Sequence, residues 1–291
     1  MWHSVAFLGT PGTGKSTMGL SYPGVEHHVW GASEEVSALN FMGRTDILPP
    51  VKLDWFEVLK PEEQAKLYSE STSELEVAQL NKVGRARNVA RYRRYLYQLK
   101  QDLIAKKRPE LQSVFLDNFA PFAQEFEDYV EIVWGKDFVT KEGNFDTISY
   151  YKRFTNELTD FLRFFNGLPC HRLISCHVSM VASEEVAANT AFLQAAKIGG
   201  LKKEWQPLIT GRSRFMLASI PDWVFFCKVE ETPGQATKYV TKLEADESNV
   251  GVAKPRIQPY VNPRRICYTR NQFYQEFNAA LESFLSTGKP V

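Results

Sequence analysis

The sequence predicts an α/β fold: a mostly parallel sheet flanked by helices, with a helical insertion and a β-hairpin toward the C-terminus. Three observations lead there. A short apolar run, Val5 to Leu8, is followed at once by a glycine-rich stretch and then by residues able to open a helix. A second run, Ser113 to Leu116, ends in Asp117, and a third, His171 to Cys176, ends at His177. Between these runs lie long stretches in which apolar residues recur at helical spacing, the alternation that builds a parallel sheet.

The glycine-rich stretch is Gly9-Thr10-Pro11-Gly12-Thr13-Gly14-Lys15-Ser16. It matches G-x-x-x-x-G-K-[ST], the phosphate-binding loop, and it stands where that loop should stand, after a buried strand and before a helix. Its glycines let the backbone curl around an anion without a Cβ in the way. The curled N–H groups and the helix N-terminus then face the phosphates. Lys15 is expected to bridge the β- and γ-phosphates and Ser16 to hold Mg²⁺, with Thr17 next to it in the binding set. Asp117 closes its strand as the second half of such a site, a carboxylate that holds the Mg²⁺ shell opposite Ser16. ATP and Mg²⁺ are therefore the expected ligands.

The chain has 291 residues, 44% hydrophobic and 24% charged, enough for one α/β domain over 1–291 with a substantial core. A net charge of +1 excludes a polycation, so any nucleic-acid contact must come from a local patch. The four cysteines, Cys170, Cys176, Cys227 and Cys267, form no C-x-x-C pair and suggest a reducing compartment. Cys170-His171 and Cys176-His177 invite a zinc reading, but strand alternation separates the pairs, and a packed strand with a polar tip is the expectation. The start of the chain runs directly into the first strand, so no signal peptide is expected. No apolar run reaches the roughly 18 residues of a membrane span. A cytoplasmic protein with no membrane partner is expected.

Further along, a second strand is expected near His28 to Trp30, with Glu34 and Glu35 just past it, and a short one at Val51 to Leu53 after Pro49-Pro50. From Asp54 to Leu80 seven carboxylates face Lys60 and Lys66; from Lys82 to Arg108 ten Lys or Arg face Asp102. The second part reads as a long helix with an apolar stripe, Tyr92, Leu96, Leu99 and Leu103, and a basic face, Arg87, Arg91 and Arg94. That face either pairs with the preceding acidic segment or follows a nucleic-acid backbone, the first being the default. Lys15 and Asp117 stand 102 positions apart, which marks about 60–108 as a helical insertion. Helices are expected over 119–134 and 146–166, with an exposed loop from Gly135 to Asn144. Residues 178–210 lack a period and read as a long loop. A short helix follows Arg214. Then come a strand over 222–229, a turn at Thr232-Pro233-Gly234, a partner strand over 238–243 and a terminal helix over 271–285 carrying Phe273, Phe277, Leu281 and Phe284.

This order of parts resembles the RecA/KaiC class of ATPases and, more narrowly, phage RecA-like ATPases of the Sak type, nucleotide-binding or single-strand annealing proteins. The resemblance runs from about Ser4 to about Arg256. It implies a RecA-like core and Mg²⁺-dependent ATP hydrolysis in DNA recombination, repair or replication, in the host cytoplasm if the chain is phage-encoded. It assigns Glu34, with Glu35 as alternative, to polarising the attacking water, although Ala32-Ser33-Glu34 replaces the usual Asp-Thr-Glu. It makes His177 the residue that senses the γ-phosphate. It gives Lys254 and Arg256 to a neighbour's phosphate, and hence implies a homo-oligomeric ring or filament. It places single-stranded DNA at loops of about 135–147 and 184–207. The rival readings are a small-molecule kinase, which shares the loop but needs an acceptor pocket, and a nucleotide-gated scaffold with little hydrolysis.

Overall fold

Residues 2–30, 48–52, 74–182, 203–209, 214–230, 238–242 and 272–287 are described by a computed structural model. The first strand, β1 (Ser4–Gly9), is buried along its whole length because it has a parallel neighbour on each side. Strands covered on both faces read as unbroken apolar runs, which is why this one was legible. The others are β2 (Val25–Val29), β3 (Leu48–Lys52), β4 (Ser113–Asp117), β5 (His171–Ala182), β6 (Lys203–Pro207), β7 (Trp223–Glu230) and β8 (Lys238–Lys242). Their order is β3-β2-β4-β5-β1-β7-β8, with β6 pairing off β5. All pairs from β3 to β7 are parallel, and only β8 on β7 and β6 on β5 are antiparallel. The mostly parallel sheet and the antiparallel β7–β8 pair are thus present.

The helices are α1 (Lys15–Leu20), α2 (Glu74–Ile104), α3 (Phe119–Trp134), α4 (Thr147–Asn166), α5 (Arg214–Ser219) and α6 (Phe273–Thr287). The α3 and α4 helices start where side chains cap them. Asn118 Oδ1 accepts from Ala120 N at 3.0 Å, and Asp146 Oδ1 accepts from Ile148 N and Ser149 N at 3.1 Å. Among the described residues no helix is long and apolar enough to cross a membrane.

Alternation along the strands divides the core in two. Ala6, Leu8, Val114, Leu116 and Ile174 face α2, α3 and α4. Val5, Phe7, Phe115, Leu173 and Phe225 face α1 and the Phe273, Phe277 and Leu281 stripe of α6. On this second face Gly19 of α1 lies directly on the Phe115 ring, which a Cβ would meet at 2.4 Å.

Several expectations are corrected. The second strand is Val25–Val29, ending before Trp30. The strand placed at 51–53 is Leu48–Lys52 and contains both prolines, which it tolerates because, among the described residues, β3 is a sheet edge bonded only to β2. Residues 178–210 are not one loop: Val178 to Ala182 continue β5 and pair with β6. This pairing joins segments remote in sequence, and no local period announces it. Gly135 to Asn144 is only partly exposed, because Gly135–Phe138 forms a 3₁₀ turn that buries Phe138.

The stripe on α2 is as expected: Tyr92, Leu96 and Leu99 are buried and Leu103 packs against them. Arg87, Arg91 and Arg94 are exposed. The acidic stretch ahead of α2 lies largely outside the described residues. The partners that are described belong to α3 and α4 instead: Lys82 with Glu131, Arg85 with Asp128 at 2.6 Å, and Arg93 with Glu157 at 3.3 Å. A buried polar knot also ties α2 to β2. Glu26 accepts from His28 Nε2 at 2.7 Å, from the Tyr95 hydroxyl and from Arg108 at 2.7 Å, while His28 Nδ1 accepts from the Tyr92 hydroxyl at 2.9 Å. Burial alone would raise the Glu26 pKa, but the donors, His28 foremost, hold it at about 2 against an ordinary 4.5.

Two outcomes follow. Gly19→Ala gains about 1 kcal/mol of helix propensity, yet it should destabilise the fold by about 1–3 kcal/mol through overpacking; a urea melt that shows stabilisation contradicts the Gly19–Phe115 contact. Because Glu26 is more acidic when folded, its contribution is complete above about pH 4.5 and is lost as pH falls toward 2. The stability difference between the wild type and Glu26→Gln should therefore shrink across that window, and a pH-independent difference contradicts the knot.

Candidate active site

In open parallel sheets, ligands bind beyond the C-terminal strand ends where the chain reverses its direction of travel across the sheet. Here the chain steps from β5 over β1 to β7, so that point lies at the end of β1, where the glycine-rich loop begins. Gly12 (φ 77°) and Gly14 (φ 82°) take left-handed backbone, Gly14 as the N-cap of α1. Other residues rarely adopt it, and it gives the loop its curl. Thr13 Oγ1 donates to Thr10 O at 2.8 Å and braces the curl, while Pro11 and Gly12 form its exposed tip. Lys15 is only 5% exposed, and its Nζ donates to Gly9 O at 2.9 Å and Thr10 O at 2.8 Å. The ammonium thus lies folded against the inside of the loop. Thr17 is half-buried on α1.

Asp117 ends β4, which is separated from β1 by β5. It is 1% exposed. The Ser16 side chain, at the start of α1, lies close enough across the end of β5 to help stabilise its charge. Two donors hold the carboxylate: Ser175 of β5 on Oδ1 and His27 of β2 on Oδ2, the latter at 3.1 Å. Burial alone would raise the Asp117 pKa. Hydrogen bonding and electrostatic attraction from His27, then the bond from Ser175 and the nearby Ser16 side chain, hold it below the ordinary value. The carboxylate is therefore ionised and fixed in place. Mg²⁺ is a hard cation that takes one or two protein oxygens and completes its shell with phosphate and water. An ionised carboxylate beside a serine hydroxyl, next to an anion cradle, fits that ion.

His177 pairs in register with Gly9. The sequence places it at a strand tip, but β5 continues past it: parallel pairing with β1 ends at His177 and antiparallel pairing with β6 begins at Val178. Burial, and then the nearby Lys15 charge, lower its pKa, so the imidazole is neutral at physiological pH. His177 also lines a cleft of about 430 Å³ with Asn118, Gln124, Ser179, Gln206 and apolar residues that include Pro121 and Leu208. Every side chain in this lining is uncharged.

The structure thus brings together Gly9 to Ser16, Asp117 and His177. Glu34, Glu35, Lys254 and Arg256 lie outside the described residues, as does most of 184–207. Cys170 and Cys176 are buried, with thiols pushed up to about 12 by that burial, and His171 Nδ1 accepts the His3 amide at 3.0 Å. Sequence reasoning missed His27 and Ser175. The available signal was a histidine alternating with Val25 and Val29 in a strand, but its partner becomes visible only with the β2–β4 register. Comparison with protein-family models finds none that matches the chain, and comparison with curated proteins finds none similar to it.

Proposed function

We propose that this chain is an Mg²⁺-dependent ATPase with a RecA-like core that acts on single-stranded DNA. The observation that carries the reading is the approach of the Ser16 side chain to the buried Asp117 carboxylate, beneath the loop that folds Lys15 inward. It joins two motifs 102 positions apart, which chance matches have no reason to bring into contact. The placement of β5 between the two motif strands supports the same reading, since it sets His177 level with Gly9.

In this mechanism the N–H groups of Gly12 to Lys15 receive the phosphates. Lys15 Nζ exchanges two carbonyl acceptors for phosphate oxygens, an exchange of neutral for charged hydrogen bonds that favours the bound state. Ser16 and Asp117 would hold Mg²⁺, which when bound would supply positive charge to offset that of the phosphates. Neutral His177 can give or take one hydrogen bond at the γ-phosphate, and through β5 it is continuous with Val178 to Ala182 and with β6. A change there passes to the segment that the resemblance assigns to DNA. Glu34 orients the water, and Lys254 and Arg256 reach a neighbouring subunit, on the resemblance alone. At the other DNA segment Val139 and Phe145 are exposed beside Lys136 and Lys141, a combination of stacking surface and cation suited to a single strand.

The uncharged cleft beside His177 favours a second reading, a kinase whose neutral acceptor sits there. Phosphate release that needs no acceptor and rises with single-stranded DNA supports the first reading; transfer to a small acceptor supports the second. Both require Lys15. Lys15→Ala should lower turnover by about 10²-fold or more, the scale for loss of a preorganised charge-stabilising donor, and unchanged steady-state phosphate release in that variant refutes the site.

A further inference from the structure

The α1 face of the central strands is apolar: Val25 of β2, Phe115 of β4, Leu173 of β5 and Phe7 of β1. Three polar residues interrupt it: His27 in the middle of β2, Asp117 at the end of β4 and Ser175 on β5. Register explains the meeting. His27 stands opposite Phe115 and Val29 opposite Asp117, while Phe115 stands opposite Leu173, two residues before Ser175. His27 and Ser175 are both 0% exposed.

We propose that His27 and Ser175 are positioning residues that lock the Asp117 carboxylate in the orientation needed to hold Mg²⁺ with Ser16. This rests on the reading of Ser16 and Asp117 as the metal-holding pair. Ser175 donates to Oδ1 and His27 Nε2 to Oδ2. An ionised carboxylate only accepts, so the imidazole proton of that bond is on Nε2. With each oxygen held from a different strand, the carboxylate plane cannot rotate, and its remaining lone pairs are left for Ser16 and a cation. The His27 ring is itself fixed, stacked on Phe115 at 5.2 Å and 13°.

The other ring nitrogen separates this role from mere packing. His27 Nδ1 is buried and has no hydrogen-bond partner among the described residues. Burying an unsatisfied polar atom is costly, and replacing such a group by an apolar one of similar shape is often neutral or stabilising. A residue placed only to fill this apolar face would be better as Phe or Leu. The fold keeps an imidazole whose single hydrogen bond among the described residues goes to Asp117. Outer partners that orient a metal-holding carboxylate typically change metal affinity by about 10- to 100-fold when removed.

The test compares nucleotide affinity of the full-length chain with and without Mg²⁺, using ATP as the probe in calorimetry, for wild type, His27→Phe, His27→Gln and Ser175→Ala, with a thermal melt of each. His27→Phe keeps the stacking and loses the donor; His27→Gln restores an N–H near the place of Nε2. In His27→Phe, metal-free affinity should stay within about twofold while the gain conferred by Mg²⁺ falls about tenfold or more. In His27→Gln most of that gain should return, and Ser175→Ala should lose several-fold. A Mg²⁺ gain unchanged in His27→Phe and Ser175→Ala overturns the proposal, as do equal losses with and without metal, which mark a structural role. If His27→Phe does not fold, Ser175→Ala and His27→Gln decide it by the same criterion: an unchanged gain in the first, or no recovery of a normal gain in the second, overturns the proposal. A wild-type chain that binds ATP with no Mg²⁺ gain removes the metal pair itself, and the positioning role with it.

Discussion

A carboxylate that is almost wholly buried and still ionised constrains everything around it. Desolvating such a charge without partners costs several kcal/mol, so Asp117 must meet enough donors to offset that cost. Two arrive from neighbouring strands, His27 from β2 and Ser175 from β5, and the Ser16 side chain approaches from the start of α1. This convergence requires β4 to lie between β2 and β5, and α1 to cross the end of β5 from its root on β1. The observed strand order meets both requirements. The close seat of α1 on the sheet is set by the same region, where Gly19 lies on Phe115, the residue that also carries the His27 ring.

The two faces of the sheet handle buried charge differently. On the α2 face Glu26 is saturated by His28, Tyr95 and Arg108, and His28 has both ring nitrogens engaged. That knot is closed and structural, and it fastens the long basic helix to β2. On the α1 face the cluster around Asp117 leaves His27 Nδ1 without a partner among the described residues, and Ser16 of the phosphate loop lies beside the carboxylate. Adjacent residues of one strand, His27 and His28, therefore serve opposite purposes because alternation sends them to opposite faces.

Much of this was legible in the sequence, for local reasons. The β1 strand and its loop combine a buried-strand run with glycines whose left-handed backbone is needed, and the runs ending at Asp117 and His177 have the same kind of local signature. The α3 and α4 helices have strong apolar spacing. The stripe on α2 was equally plain. What escaped depends on which strand lies beside which. The continuation of β5 and its pairing with β6 join residues about 25 apart, and the acids that pair with α2 come from helices later in the chain. His27 and Ser175 looked like ordinary strand residues until the register brought them to Asp117. The strand expected at 51–53 begins earlier, at Leu48, and runs through two prolines that an edge position permits.

The central claim is that the loop, Ser16 and Asp117 form one site for a metal–triphosphate complex. Equilibrium titration of the wild-type chain with ATP, first with Mg²⁺ and then after its removal by a chelator, measures this most directly. The account predicts one saturable site per chain whose affinity drops about tenfold or more, at least about 1.4 kcal/mol, when the metal is withdrawn. No saturable binding at about millimolar ATP, where only about 4 kcal/mol of binding free energy would be needed, or an affinity indifferent to the chelator, would contradict it.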